Sequence, residues 1–256
     1  MSNFVENPNL PEGKVSLVVA GEMPAFLQDY LTNRNIKILT CENNPFIDPS
    51  VKSHADMSVV HLGRNRVVVD SSQENLKHLL EFEGFEVIST SSKISGKYPD
   101  DVKLNVALFG DKAVGAFKHT DLNLLSYIDN FQQSDVKQGY AKCSILPISE
   151  NAIITDDESI YKSLKNIVDT LFISKGDIVL DGHNYGFIGG ASAKISRNEI
   201  LFFGDIEKHQ DADIILSFLK KHNHKAVYFK GYPLYDIGGL VTLCETMICQ
   251  TKCNTF

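Results

Sequence analysis

Near its C-terminal end the chain carries a cysteine in a setting that can do chemistry. Cys244 ends the short apolar run Leu240-Val241-Thr242-Leu243, which follows Tyr235-Asp236-Ile237-Gly238-Gly239. Paired glycines allow a sharp turn or a close backbone approach. A thiol at the end of a strand entered from such a turn is one way of presenting a nucleophile. Free cysteine is also among the most buried residue types, so a packed core thiol fits the same letters. A second thiol, Cys143, follows Lys142 in the segment Gly139-Tyr140-Ala141-Lys142-Cys143. A lysine beside a cysteine can hold a thiolate or bind a substrate carboxylate. Strand alternation instead turns Lys142 outward and Cys143 inward. The small, glycine-rich stretch 186–192 suits either an approach to an anion through backbone N–H groups or tight packing.

Composition narrows the partners. The net charge is −7 and there is no local basic run, which argues against nucleic acid and anionic membrane surfaces. No apolar stretch approaches the ~18 residues needed to span a bilayer. Five cysteines in 256 residues are an odd number, in a chain long enough to bury a core without staples. They read as reduced thiols in a cytoplasmic protein. Cys244, Cys249 and Cys253 stand five and four residues apart, which does not match a zinc CxxC pattern. No metal or cofactor is expected. A small-molecule substrate remains as the partner, and nothing speaks for or against a homo-oligomer.

The elements that must position these residues recur. The order strand, tight turn, strand, helix, strand occurs four times, from first strands expected at 57–62, 104–109, 143–148 and 191–195. Returning strands fall at 66–70, 112–117, 152–155 and 199–203, and helices at 73–83, 121–131, 158–169 and 211–221. Closing strands are expected at 85–89, 170–174 and 225–229. A period of roughly 40 to 48 residues signals a circular or solenoidal array. One further step lands on the Gly238-Gly239 strand. The pieces missing from that last unit are supplied by 14–20 (strand), 23–32 (helix) and 36–40 (strand). The expectation is a single domain over residues 1–256, a ring of five units closed by the N- and C-terminal segments, which leaves no exposed sheet edges. The alternative is an open mixed α/β sheet.

Such a ring, with Gly-Gly and Cys on its last first-strand, resembles the pentein fold. This is the five-bladed pseudo-symmetric α/β propeller of the guanidino-group-modifying enzymes: arginine and agmatine deiminases, dimethylarginine dimethylaminohydrolase and amidinotransferases. Those enzymes carry a nucleophilic Cys in a glycine-rich segment near the C-terminus, followed after one residue by Ser or Thr. Here Gly238-Gly239 precede Cys244, and Thr246 follows Glu245. The stretch 186–192 and Asp205-Ile206-Glu207-Lys208-His209 look similar to an uncharacterised branch of the superfamily.

The resemblance implies a cysteine-dependent hydrolase or amidinotransferase acting on a small guanidine-bearing substrate. It picks out Cys244 as nucleophile and His54 as acid and base. Asp56 and Asp236 become partners for the guanidinium, which matches a carboxylate through two parallel hydrogen bonds. Lys142 is a further substrate-binding candidate. The chain departs from the pattern in one place. The enzymes open their fourth unit with a His-x-Asp or similar element, and this chain has Gly190-Ala191-Ser192 there. Its own His-x-Asp, His54-Ala55-Asp56, opens the first unit. The same resemblance also covers non-enzymatic binding proteins such as translation initiation factor six, and relatives whose site has decayed. His54 also suits a backbone cap, and Asp56 and Asp236 suit turns. His209, His222 and His224 read as surface residues, and the run Asp156-Asp157-Glu158 as favouring the start of the third helix.

Overall fold

The structure, a computed structural model, describes residues 2–246. Cys249 and Cys253 of the C-terminal cysteine group therefore lie outside the described residues. In chain order the elements are β1 (Ser2–Phe4), β2 (Lys14–Ala20), α1 (Ala25–Asn33) and β3 (Lys37–Thr40). Next come α2 (Ala55–Ser58), β4 (Val59–Gly63), β5 (Arg66–Val69), α3 (Glu74–Phe82) and β6 (Glu86–Ser89). Then follow β7 (Ala107–Phe109), β8 (Lys112–Gly115), α4 (Leu122–Tyr127) and β9 (Gln132–Asp135). After these are β10 (Ile145–Ser149), β11 (Ala152–Thr155), α5 (Glu158–Leu164), β12 (Asp169–Phe172) and β13 (Ile178–Val179). The chain continues through β14 (Ser192–Ser196), β15 (Glu199–Phe202), α6 (Ala212–Lys221), β16 (Lys225–Val227), β17 (Leu234–Tyr235) and β18 (Val241–Thr246).

Four sheets share one plan: β4-β5-β6, β7-β8-β9, β10-β11-β12 and β14-β15-β16. In each, a hairpin pairs the first two strands antiparallel, and a helical crossover returns the third strand parallel to the second. The helices begin where the sequence supplies caps. The Asp121 and Asp157 side chains accept from backbone N–H groups at the starts of α4 and α5. Leu76 and Leu80, one helical turn apart, bury the inner face of α3.

The fifth sheet joins the two ends of the chain. β18 pairs antiparallel with β2, setting Val241 opposite Val19 and Thr242 opposite Val18, and β2 pairs parallel with β3. β18, β2 and β3 thus take the places of first, second and third strand, with β1 added along the outer side of β18. A two-stranded parallel pair, β13 with β17, stands apart from this plan.

Apolar burial follows the same succession. Among the described residues each core cluster joins two consecutive sheets. Leu243, Val19, Val69 and Leu76 link the terminal sheet to the first, and Val60, Val68, Leu104 and Leu108 link the first to the second. Phe109, Val114, Ile145 and Ile153 continue from second to third, and Leu146, Ile154, Ile200 and Phe202 from third to fourth. Ala193, Leu201, Val18 and Leu27 then lead from the fourth back to the terminal sheet. No helix among the described residues is long and apolar enough to cross a membrane.

The first strands start later than the sequence pattern predicts. Residues ahead of them coil instead of extending: the Met57 amide donates to the His54 carbonyl, the Ser144 amide to Tyr140 and the Ala191 amide to Phe187. Ala55, Met57, Ala141 and Cys143 are buried by this curling, so their apolar letters mimic strand continuation. β9 went unread because Gln132–Asp135 has no apolar residue, and β1, β13 and β17 are too short to carry a period.

If β18 is integral to the core, Leu243→Ala should cost about 2–5 kcal/mol of unfolding free energy, since Leu243 is fully buried between two sheets. Urea denaturation measures it. A loss below about 1 kcal/mol would mean that β18 adds little to the fold.

Candidate active site

The segments that lead into the first strands meet one another through hydrogen bonds. The Asp56 amide donates to the Gly238 carbonyl at 3.3 Å. Asn105 Nδ2 donates to the Asp56 carbonyl at 3.4 Å. The amides of Lys142 and Cys143 donate to Asn105 Oδ1 at 2.7 and 3.2 Å. The Gly190 amide donates to the Cys143 carbonyl at 3.0 Å, and the Gly239 amide to the Gly190 carbonyl at 2.9 Å. The bonds therefore pass through one entry segment of every three-stranded plan and return to Gly238-Gly239. Two glycines make the approach possible. A Cβ on Gly190 would fall 2.0 Å from Asp236 Oδ1, and one on Gly238, where φ is +77°, would fall 2.4 Å from the His54 Cβ.

Against this hub lies a cavity of about 260 Å³ whose lining includes His54, Cys143, Asp236, Tyr140 and Phe187. The Cys143 thiol donates to Asp56 Oδ2 at 2.9 Å, and Asn105 Nδ2 lies 3.1 Å from the sulfur. Asp236 accepts from the amides of Phe187 at 2.8 Å and Gly238 at 3.0 Å. His54 Nδ1 stands 3.9 Å from Asp236 Oδ1. Neither His54 Nδ1 nor Asp56 Oδ1 has a hydrogen-bond partner among the described residues, although both are buried. Of the two residues, His54 lines the cavity, and an unsatisfied polar atom there marks it as a place for a polar guest.

The electrostatics of the site are acidic. Burial pushes Asp56 up to about 6, with the charges of His54 and Lys142 pulling the other way. Burial also raises Asp236. Cys143 is held well above the ordinary thiol range, first by burial and then by the two carboxylates. In the resting site the proton therefore stays on sulfur and is donated to Asp56. A cation entering the cavity would oppose the field of the carboxylates and favour the thiolate. Among the described residues no group of three or more His, Cys, Asp or Glu side chains is arranged to hold a metal ion.

Of the sequence candidates, the structure brings His54, Asp56 and Asp236 together and leaves Cys244 elsewhere. Cys244 sits in β18 about 16 Å of extended chain beyond Gly239. It packs in the cluster of Leu17, Val241 and Leu243, and burial pushes its thiol up to about 11. Register shifts on either side of Cys244 place it opposite Leu17, within the sheet and away from the cavity. The thiol that does reach the cavity is Cys143.

Lys142 does not turn outward. Residues 141–144 form a turn, not a strand, so alternation does not apply, and both Lys142 and Cys143 are buried. Lys142 lines two narrow clefts beside Asn9 and is absent from the cavity that holds Cys143. His209 is buried and not a surface residue, its Nδ1 accepting from the Asp211 amide. In the acidic run, Asp157 caps α5 as its position suggests, but Asp156 is buried, accepts from the Ile188 amide at 3.3 Å and is pushed up to about 7 by burial.

Sequence reasoning passed over Asn105, the residue that ties Asp56 to Cys143. Its signal was positional. Asp56, Asn105, Cys143 and Gly190 all stand in the segment that leads into the first strand of their own unit, which makes Asn105 a candidate for the hub once the other three are placed there.

Comparison with known proteins supports the fold. The model of a family of unknown function, DUF6873, matches residues 18–241. No curated protein matches the chain in sequence. The inosamine-phosphate amidinotransferase of Streptomyces griseus superposes with a TM-score of 0.60 at 10% identity, covering 96% of this chain and 97% of that one. An amidinotransferase of saxitoxin biosynthesis from Microseira wollei gives 0.57 at 10% identity, with 89% and 91% covered. The agmatine deiminase of C. jejuni gives 0.53 at 13% identity, with 87% and 89% covered. All three have the pentein fold, and the chain shares it.

Because Asp56 binds its proton more tightly in the fold, at about 6, than the ordinary carboxylate value of 3.8, folding takes up a proton between those values. Its contribution to stability therefore falls as pH rises through that window. Asp56→Asn should flatten this part of the stability profile and raise the melting temperature at pH 7.5, as read by calorimetry. A variant less stable than the parent at pH 7.5, with its dependence between pH 4 and 6 unchanged, would mean that Asp56 is a well-paired carboxylate.

Proposed function

We propose that this chain, which belongs to DUF6873, a family of unknown function, is a cysteine-dependent enzyme acting on the C–N bonds of a small guanidine-bearing molecule, with Cys143 as its nucleophile. We read it as one five-bladed α/β propeller closed by its two ends, with the substrate held at the centre. The observation that carries the proposal is the meeting of the Cys143 thiol, the buried Asp236 carboxylate and the His54 imidazole at a single cavity, with a second buried carboxylate, Asp56, hydrogen-bonded to that thiol. The general kind of activity agrees with that of the similar solved structures, two amidinotransferases and a deiminase.

The residues divide the work as follows. A guanidinium entering the cavity pairs with Asp236, and its charge offsets both carboxylates. Asp56, already the acceptor of the Cys143 proton, takes that proton as the sulfur bonds to the guanidinium carbon. One C–N bond of the tetrahedral adduct then breaks, and the departing nitrogen leaves as ammonia or an amine, carrying the proton that Asp56 returns. The carbon remains bound to sulfur as an amidino thioether. Water attacks this carbon and gives up a proton to His54. The C–S bond breaks, the sulfur is reprotonated and a urea-type product leaves. An amine in place of water would make the same intermediate an amidino donor.

The test is a panel of arginine, agmatine and methylated arginines assayed for release of ammonia, amine or urea. Activity with at least one is expected, lost by at least about 10³-fold in Cys143→Ser and kept in Cys244→Ser. Loss in Cys244→Ser with retention in Cys143→Ser would reverse the assignment. Guanidines that raise the melting temperature and are never turned over would make this a binding protein.

A further inference from the structure

Two carboxylates line the cavity, one buried and one exposed. Asp236 forms its floor, with a side chain only 1% exposed. Asp48 stands at the rim, with a side chain 48% exposed. Asp48 Oδ1 accepts from the Ser50 amide at 2.9 Å and from the Ser50 hydroxyl at 2.6 Å, and lies 3.6 Å from His183 Nε2. These contacts keep its carboxyl below the usual carboxylate range. All of them use Oδ1, which leaves Oδ2 to a ligand.

Between floor and rim the wall is aromatic. The Tyr140 and Phe187 rings stack with centroids 6.1 Å apart, and Tyr185 meets Phe187 edge-on at 6.3 Å. Such faces accommodate methylene chains and attract cations. Among the described residues lining the cavity there is no Lys or Arg. Lys142 faces other clefts, and Lys175, 5.5 Å from the Tyr185 ring, lines a separate cleft with Asp156 and Asp157. His183 is the one lining group at the rim able to carry positive charge, and it already faces Asp48.

We propose that the cavity selects a dicationic guanidine, one whose aliphatic tail ends in an amine, and discriminates against a tail that ends in a carboxylate. This rests on the guanidine reading of the floor. The guanidinium end meets Asp236, the methylenes lie along Tyr140 and Phe187, and the terminal ammonium reaches Asp48. A carboxylate tail would meet Asp48 where the one rim group able to carry positive charge, His183, is already engaged with Asp48, and such a like-charge contact enforces specificity as much as the favourable one does.

Calorimetric titration of the Cys143→Ser protein, which binds without turnover, separates the two claims. The probes are 4-aminobutylguanidine, 4-guanidinobutyrate and butylguanidine. The amine should bind about tenfold or more tighter than the carboxylate, with butylguanidine between them. Asp48→Asn should shrink the amine-to-carboxylate ratio at least about threefold while leaving butylguanidine affinity within about twofold. His183→Gln should leave the preference for the amine in place. If butylguanidine binds but amine and carboxylate bind equally, or the carboxylate binds tighter, the tail selection is wrong and the guanidine floor stands. A preference for the amine that survives Asp48→Asn would remove Asp48 from the role. Binding of none of the three would overturn the floor assignment and this proposal together.

Discussion

The hydrogen bonds among the entry turns are the constraint on which the rest of the structure depends. Asp56, Asn105, Cys143, Gly190 and Gly238-Gly239 are held to one another through backbone groups, bridged by the Asn105 side-chain amide and by the Cys143 thiol on Asp56. Buried backbone donors and acceptors left without partners are costly, so these turns are committed to each other once water is excluded. The apolar clusters enforce the same succession, since each joins consecutive sheets and the last leads back to the terminal one. Pairing of β18 with β2 is the sheet-level counterpart. No single unit could bury its inner face alone, because every cluster draws on two.

This arrangement forces polar groups into a place where they are expensive. Asp56 and Asp236 are buried, and both are pushed toward their neutral forms. Lys142 and His54 reduce the cost through their charge, but the unpartnered atoms of His54 and Asp56 remain. A core built for stability alone would have apolar residues at such positions. A positive guest would satisfy the carboxylates and at the same time favour release of the Cys143 proton. The same field keeps the proton on the Cys143 sulfur, which is deeply buried and faces two acids.

The order of elements was legible because it is local. Hairpins announce themselves at Gly63-Arg64-Asn65 and Ser196-Arg197-Asn198, and helices by spacings such as Leu76 to Leu80. The completion of the last unit by the N-terminal strand was legible for the same reason, since a hairpin partner was missing at one end and present at the other. Which of the two thiols, Cys143 or Cys244, reaches the cavity was not legible. It depends on where a strand begins, and that is set by contacts between residues far apart in sequence. Asn105 holds the turn that contains Cys143 from 38 residues away, and Asp56 accepts its thiol proton from 87 residues away. Resemblance directed attention to the glycine-flanked thiol. Cys244 instead packs in the apolar cluster between the terminal and first sheets, with register shifts on either side of it.

Repetition also explains how a thiol in the third unit can serve a site whose carboxylates come from the first and the terminal ones. Each unit delivers its entry turn to the same hub, so the positions of Asp56, Asn105, Cys143 and Gly190 are alternatives for filling one small space. What a given unit contributes is then free to vary, provided that the sum fits. Here two of the contributions are glycines, at Gly190 and Gly238, and their missing side chains leave the room that Asp236 and His54 occupy. The unit that supplies the thiol is therefore a weak constraint. The stronger one is that a thiol and a carboxylate line one cavity while an acceptor for the thiol proton touches the sulfur, as Cys143, Asp236 and Asp56 do in spite of their distance along the chain.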